Sequence, residues 1–85
     1  MDYELVPEAL QQFGNLPKPE KARVLKKIEW MVDNWPQSRG DALERNLKGL
    51  EKLRAGNYRI IYRVSGEMIT IERIGDRKDV YGHGD

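Results

Sequence analysis

The sequence predicts a small α+β domain in which helices pack on one face of an antiparallel sheet. Apolar residues recur at helical spacing in the first 35 residues, and from Leu47 onward their period changes to two. Short glycine-containing segments separate three strand-like stretches in the second half. Helices followed by a run of strands are typical of α+β folds, and 85 residues suffice for a single domain, residues 1–85.

The first half of the chain predicts one short strand and a helical hairpin. The segment "YELV" at 3–6 is strand-like, and "PEALQQFG" at 7–14 has proline at its first position and glycine at its end, as a short helix does. A longer helix opens at Pro19 and stops at Pro36. We expect the following residues to face the core: Ala9, Leu10, Phe13, Ala22, Val24, Leu25, Ile28, Met31, Val32 and Trp35.

The second half predicts a short helical turn and then a three-stranded antiparallel meander. The turn is "ALERNL", and the strands are "LKGLEKLR", "NYRIIYRV" and "EMITIERI". A two-residue turn at Gly56 and Asn57 would set Leu53 opposite Ile60, and Arg54 opposite Arg59. These positions predict that the first two of the three strands form a tight hairpin.

The segment after the "YR" strand predicts a second hairpin. With Ser65 and Gly66 as its turn, Tyr62 would lie opposite Ile69, and Glu72 would lie beside Arg59. Arg59 and Glu72 would then form an ion pair across the two strands.

Alternation along the strands predicts one apolar and one cationic face. Tyr58, Ile60, Tyr62 and Val64 would face the helices. We call the other side of the sheet the open face; its expected members are Lys48, Lys52, Arg54, Arg59, Ile61 and Arg63. These cations are either solubilising residues on a solvated sheet or, because guanidinium matches phosphate, a site for RNA or DNA backbone.

Composition excludes several function classes. The net charge is +1, but residues 48–81 hold eight Lys and Arg against five Asp and Glu, so the positive charge concentrates among the strands. Cysteine is absent, which suits a reducing compartment, and no uncharged segment is long enough to span a bilayer, so we expect a soluble, cytoplasmic protein with no membrane partner. No phosphate-binding glycine loop, nucleophile elbow or zinc signature is present, and we expect neither cofactor nor metal.

The segments "YRIIYRV" and "ITIERIGDRKDVY" resemble the RelE/ParE superfamily of toxins from toxin–antitoxin systems. The likeness extends over the early strand, the helical hairpin and "LKGLEKLRAGNYRIIYRV", and so over nearly the whole chain. In the RelE branch, which the resemblance favours, the toxin enters the ribosomal A site, cuts mRNA without a metal and is neutralised by a partner antitoxin. The resemblance thus implies an endoribonuclease, an mRNA interferase, that inhibits translation.

The resemblance also implies which residues act on RNA. The positions that carry catalytic side chains in the RelE branch are filled here by Lys52, Arg54, Arg59, Arg77 and Tyr81. Lys48, Arg63 and Lys78 are expected to bind RNA. Tyr81 and Lys52 are the candidate bases, and His83, the only histidine, is an alternative base. Leu50 and Asp76 depart from the RelE pattern, which often has lysine and histidine at these positions.

Two other functions fit the same resemblance. A ParE-like member binds DNA gyrase and cuts nothing, and an inactive member only binds its antitoxin. The five side chains given above as catalytic favour the nuclease, because a gyrase inhibitor has no chemical need to hold them together.

Overall fold

The computed structural model describes residues 1–43 and 49–76. It confirms the α+β class with an initial strand and a helical hairpin. The elements in chain order are β1 (Asp2–Leu5), α1 (Pro7–Gly14), α2 (Lys18–Asp33), β2 (Asp41–Ala42), β3 (Leu50–Ala55), β4 (Tyr58–Ser65) and β5 (Met68–Asp76).

The strands form one five-stranded mixed sheet in the order β1-β5-β4-β3-β2. The predicted meander is its centre, β3-β4-β5, and each edge gains a strand. β1 pairs with β5 in parallel, and the two-residue β2 pairs with β3 in the antiparallel sense. The predicted helical turn "ALERNL" was wrong at its start, because Ala42 lies in β2 and the backbone N–H of Leu43 donates to the carbonyl of Leu50 at 3.0 Å. Residues 44–47 of that prediction lie outside the described residues.

The β3–β4 hairpin has the predicted register. Gly56 and Asn57 form its turn, and Gly56 has φ 64°, a conformation that favours glycine. Leu53 pairs with Ile60, and Arg54 pairs with Arg59. Directly opposed residues share a face, so this register fixes which side chains of the two strands are neighbours.

The predicted register of the β4–β5 hairpin was wrong. Ser65 extends β4 and pairs with Met68, so the turn moves to Gly66 and Glu67. Tyr62 therefore pairs with Ile71. The error is two residues, and because side chains alternate with period two, the predicted faces of β4 survive it.

A β-bulge interrupts β5 at Glu72. Ile61 pairs with Arg73, whereas the next residue, Tyr62, pairs with Ile71, so Glu72 is the extra residue. Beyond the bulge the inward position falls on Ile74, which is buried. The bulge thus returns an apolar side chain to the core.

The core lies between the helices and one face of the sheet. Its buried members are Ala9, Val24, Ile28, Met31, Leu53, Ala55, Ile60, Tyr62, Ile69, Ile71 and Ile74. Phe13, Val32 and Trp35 pack against them in partly buried positions.

The predicted helix stripes were too wide. Leu10 is 59% exposed, Leu25 is 37% exposed and Ala22 is exposed. α2 buries only Val24, Ile28 and Met31, because a straight helix lying on a sheet presents one narrow stripe. In the described part of the chain, neither helix has the length and apolar character that a membrane span requires.

Candidate nucleic-acid interface

The open face holds adjacent rows of cationic residues across the three central strands. In one row Lys52 pairs with Ile61, which pairs with Arg73. In the next row Arg54 pairs with Arg59. Directly opposed Cβ atoms in such rows are about 5 Å apart. The register therefore places Lys52, Arg54, Arg59 and Arg63 on one face, as the alternation predicted; their roles in binding or catalysis stay a prediction.

The other predicted site residues lie outside the described residues. They are Lys48 in the segment before β3, and Arg77, Lys78, Tyr81 and His83 after β5.

Exposure varies strongly within the open face. Arg54 and Arg63 are exposed, but Arg59 is only 7% exposed and Ile61 only 5%. Both belong to β4, the central strand; Ile61 lies between Lys52 and Arg73 in the ladder, and Arg59 lies opposite Arg54. Arg59 and Lys52 each have an interaction partner. The open face is therefore not solvent-exposed at its centre.

The predicted Arg59–Glu72 pair is replaced by an Arg63–Glu72 pair. Arg59 pairs with Gly75 in the ladder, and Arg63 Nη2 lies 2.6 Å from Glu72 Oε2. The register shift and the bulge cause this exchange. The Arg63 side chain is 53% exposed, so the ion pair stabilises the fold by no more than about 1 kcal/mol.

Arg73 is an open-face cation that the sequence interpretation missed. Its pairing with Ile61 places it on this face, and its Nη2 lies 3.6 Å from Glu8 Oε2 of α1. Regular alternation from Ile69 and Ile71 would put residue 73 in the core. The consecutive polar pair Glu72 and Arg73 was the available signal, since a bulge accounts for two successive polar residues between inward-facing isoleucines.

A polar network lies on the opposite, core-facing side of the sheet. Tyr62, fully buried, donates its hydroxyl proton to Glu51 Oε1 at 2.7 Å and accepts the backbone N–H of Gly40 at 2.7 Å. Arg39 donates from Nε to Glu51 Oε2 at 2.8 Å, and its Nη2 contacts the same oxygen. The network ties the chain segment after α2 to the central strands.

Aromatic contacts continue this network. The Trp35 ring meets Tyr62 edge-on with ring centroids 6.1 Å apart, and the Arg39 guanidinium lies 5.3 Å from the Trp35 centroid. Among the described residues, every buried side-chain nitrogen and oxygen has a hydrogen-bond partner. The sequence interpretation placed Tyr62 correctly in the core but overlooked Glu51, which shares the inward parity of Leu53 and Ala55 in β3.

Burial raises the pKa of Tyr62 well above its ordinary value, and the hydrogen bond to Glu51 adds to this effect. The stabilisation that comes from the neutral phenol is therefore complete below about pH 10, the ordinary tyrosine pKa, and is lost as pH rises toward the higher pKa of the folded protein.

We expect Tyr62→Phe to lower the free energy of unfolding by about 1–3 kcal/mol at pH 7, because Gly40 N–H and Glu51 Oε1 lose the hydroxyl that they bond to. The difference between the wild type and this variant should shrink above about pH 10, since phenylalanine does not titrate. Urea unfolding at pH 7, 9 and 10.5 measures both effects. The variant Tyr58→Phe, at a partly buried position in the same strand, serves as the control. A difference that grows with pH would contradict this assignment.

Within the described ranges, no group of three or more His, Cys, Asp or Glu side chains is arranged to hold a metal ion. The chemistry that the described open face offers is that of its guanidinium and ammonium groups: they bind and stabilise negative charge on phosphate oxygens.

Comparison with known proteins gives the class of protein to which this fold belongs, small toxins of toxin-antitoxin systems. Residues 3–81 match the family described as ParE toxin of type II toxin-antitoxin system, parDE. The chain therefore belongs to this family of toxins, and the resemblance to the RelE/ParE superfamily is confirmed. The search of curated proteins gave no match.

Solved structures of related toxins share the fold. The RelBE2 toxin-antitoxin complex of Mycobacterium tuberculosis contains a chain that is 27% identical, with a TM-score of 0.77, covering 89% of this chain and 96% of the other. The Methanococcus jannaschii RelB-RelE complex gives 22% identity, a TM-score of 0.73 and coverages of 95% and 98%. The YoeB/ParE toxin of Agrobacterium tumefaciens gives 17% identity, a TM-score of 0.65, and coverages of 92% of this chain and 100% of the other. The last two likenesses concern the fold alone.

Proposed function

We propose that this toxin is a ribosome-dependent, metal-independent mRNA endonuclease that cuts mRNA in the A site. The observation that carries the proposal is the set of cations that the ladder aligns on the open face: Lys52, Arg54, Arg59, Arg63 and Arg73. The similarity to the toxin of the RelBE2 complex extends over most of both chains and supports the RelE-like hypothesis.

The proposed reaction is attack by the ribose 2′-hydroxyl on the adjacent phosphate. A base removes the hydroxyl proton, cations stabilise the extra negative charge of the phosphorane, and the 5′-oxygen leaves with a proton. Lys52 and Tyr81 are the candidates for the base, with His83 as the alternative. Arg59 and Arg77 would bind the scissile phosphate, and Arg77 would stabilise the leaving oxygen.

The low exposure of Arg59 is compatible with this role. A guanidinium near the floor of a site is screened by less water, so its field acts more strongly on a phosphate bound above it. The exposed Arg54 and Arg63, with Lys48 and Lys78, would contact the RNA backbone on either side of the scissile bond. In this proposal the ribosome supplies the alignment of the mRNA, which such a shallow face does not provide alone.

The biological setting follows from the family. We propose that a cognate antitoxin protein binds and neutralises the toxin; the similar RelBE2 and RelB-RelE structures are toxin-antitoxin complexes. The toxin would act in the cytoplasm, where ribosomes translate.

A second candidate function is inhibition of DNA gyrase without nuclease activity. The match to the ParE family favours it, since that name belongs to the gyrase-directed branch of the superfamily. It does not account for the alignment of Lys52 with Arg54 and Arg59, because a protein that only binds gyrase has no phosphorane to stabilise.

Primer-extension mapping of mRNA after induced expression tests the two functions. We expect cuts inside translated codons that disappear in Arg77→Ala and Tyr81→Phe, because these variants lose phosphate stabilisation and a candidate base. Antitoxin co-expression should also abolish the cuts. Intact messages together with gyrase-trapped, linear DNA would refute the nuclease and favour the gyrase inhibitor.

A further inference from the structure

A second cationic surface lies beside the open face, between α2 and the β3–β4 turn. It is a groove of about 320 Å³ that joins the end of β3 to one side of α2. We call it the α2–β3 groove; its lining residues are Arg23, Lys26, Lys27, Trp30, Arg54, Ala55 and Gly56.

The groove concentrates positive charge. Its lining includes four cations, and no carboxylate lines it among the described residues. Arg23 is offset by Glu20, whose Oε1 lies 2.7 Å from Arg23 Nη1. Lys26, Lys27 and Arg54 form no ion pair with any residue in the ranges 1–43 and 49–76. Gathering like charges costs free energy that an anionic ligand would recover.

The groove also presents an aromatic ring. Trp30 is 44% exposed, although it is one of the largest apolar side chains of the protein. Lys27 Nζ lies 4.2 Å from the centroid of its ring, a cation–π distance that holds the indole and the ammonium together. An accessible indole beside unpaired cations combines a stacking surface for a base with donors for phosphate.

Arg54 connects the two cationic surfaces. It lies opposite Arg59 in the ladder of the open face and also lines the α2–β3 groove. A polynucleotide on the open face could therefore continue past Arg54 along α2 without leaving positive surface. The path needs a single strand, because a base must be unpaired to stack on a side chain.

We propose that the α2–β3 groove binds single-stranded RNA, with one base stacked on Trp30 and the adjoining phosphates contacted by Lys26, Lys27 and Arg54. This site deepens the proposed nuclease function and rests on it for its biological role, but the binding itself requires neither ribosome nor cleavage. An acidic peptide would use the cations alone and leave the indole without a specific contact.

The direct test measures binding of a fluorescein-labelled ten-nucleotide uridine RNA by fluorescence anisotropy, without ribosomes. We expect Trp30→Ala to weaken binding between about 5- and 150-fold, the equivalent of about 1–3 kcal/mol per stacked base. Lys26→Glu should weaken binding at least about threefold and reduce the slope of log K against log salt by about 0.7. Lys26 is exposed, so this variant keeps the fold even if Trp30→Ala lowers stability.

The matched control is Lys18→Glu, which makes the same charge change at the exposed first residue of α2, outside the groove. It should bind RNA within about twofold of the wild type, since one surface charge at about a Debye length is largely screened. Equal loss in Lys18→Glu and Lys26→Glu would overturn the proposal, because the effect would then be general electrostatics. Wild-type binding by both Trp30→Ala and Lys26→Glu would overturn it as well.

Two further outcomes separate this proposal from the function proposed above. RNA binding that depends on Trp30, in a protein that leaves messages intact and traps gyrase, would support the groove and refute the nuclease. Full competition by a deca-glutamate peptide, together with Trp30→Ala binding RNA normally, would refute the groove as an RNA site and indicate an acidic protein segment as its occupant.

Discussion

Gly40→Ala is expected to lower the free energy of unfolding by about 3 kcal/mol or more, the largest effect that we predict for a single methyl group. A Cβ at this position would lie 2.0 Å from the carbonyl oxygen of Lys52 and 3.1 Å from the hydroxyl oxygen of Tyr62. The nearest atom belongs to the backbone of β3, which cannot rotate away. Moving residue 40 away from β3 to relieve this clash would break the hydrogen bond from Gly40 N–H to Tyr62.

Gly14→Ala is the matched control for this variant. Gly14 is the last residue of α1, and a Cβ there would meet no atom within 4 Å. Alanine should therefore stabilise the protein by about 0.4–1 kcal/mol by restricting the unfolded chain. Urea denaturation of both variants measures the contrast. Stability of Gly40→Ala within about 0.5 kcal/mol of the wild type would mean that the segment after α2 does not pack against β3 as described.

The second large effect concerns the proposed nuclease. Lys52→Met should slow single-turnover cleavage of mRNA on programmed ribosomes by about 100-fold or more, whether the lysine acts as base or as phosphorane stabiliser. Methionine keeps most of the length of the lysine side chain but removes its charge. Lys52 is half-buried, whereas Arg59 is buried, so Lys52 offers the clearer separation of catalysis from folding.

Lys52→Arg distinguishes the two roles of this lysine. Arginine retains the positive charge but does not deprotonate, so it replaces an electrostatic stabiliser and fails as a base. Lys18→Met, at the exposed start of α2, should cleave at the wild-type rate. If Lys52→Met is folded and cuts within about threefold of the wild type, the open face is not the catalytic surface.

Strict alternation made the sheet faces predictable from the sequence. In β4 every second residue from Tyr58 to Val64 is apolar, and the intervening arginines fix the parity of the strand. Glycine at position 56 fixed the β3–β4 turn and with it the pairing of Arg54 with Arg59. The second turn was misplaced by one residue, which shifts the β4–β5 pairing by two, and a pairing shift of two leaves every side chain on its face, so the predicted cationic surface was retained.

Features that depend on contacts between distant segments could not be predicted from the sequence. The segment "DYEL" does not indicate that β1 pairs in parallel with β5. The position of β1 depends on how the helices that follow it in the chain pack on the sheet. The sequence alone suggests that Glu51 is an exposed acid on a strand, because its hydrogen bonds with Arg39 and Tyr62 join residues that are distant in the chain. Local propensity also gave no sign that Ala42 would join a sheet edge.

The candidate site was predictable in part. Parity and turn chemistry placed Lys52, Arg54, Arg59 and Arg63 on one face, but neither of them predicts that Arg59 is buried. Arg73 joined this face through a bulge that regular alternation does not foresee. The sequence did not indicate the α2–β3 groove, because the exposure of Trp30 is a tertiary property.

The parallel pairing of β1 with β5 has a consequence for biosynthesis. Tyr3 can pair with Ile69 only after the ribosome has added 66 further residues, so this edge of the sheet stays unfilled until β5 has been synthesised. A truncated nascent chain would therefore carry the arginines of the "YR" strand without the completed scaffold beneath them. A cell that makes such a toxin would thus be exposed to its folded form only after β5 has been translated.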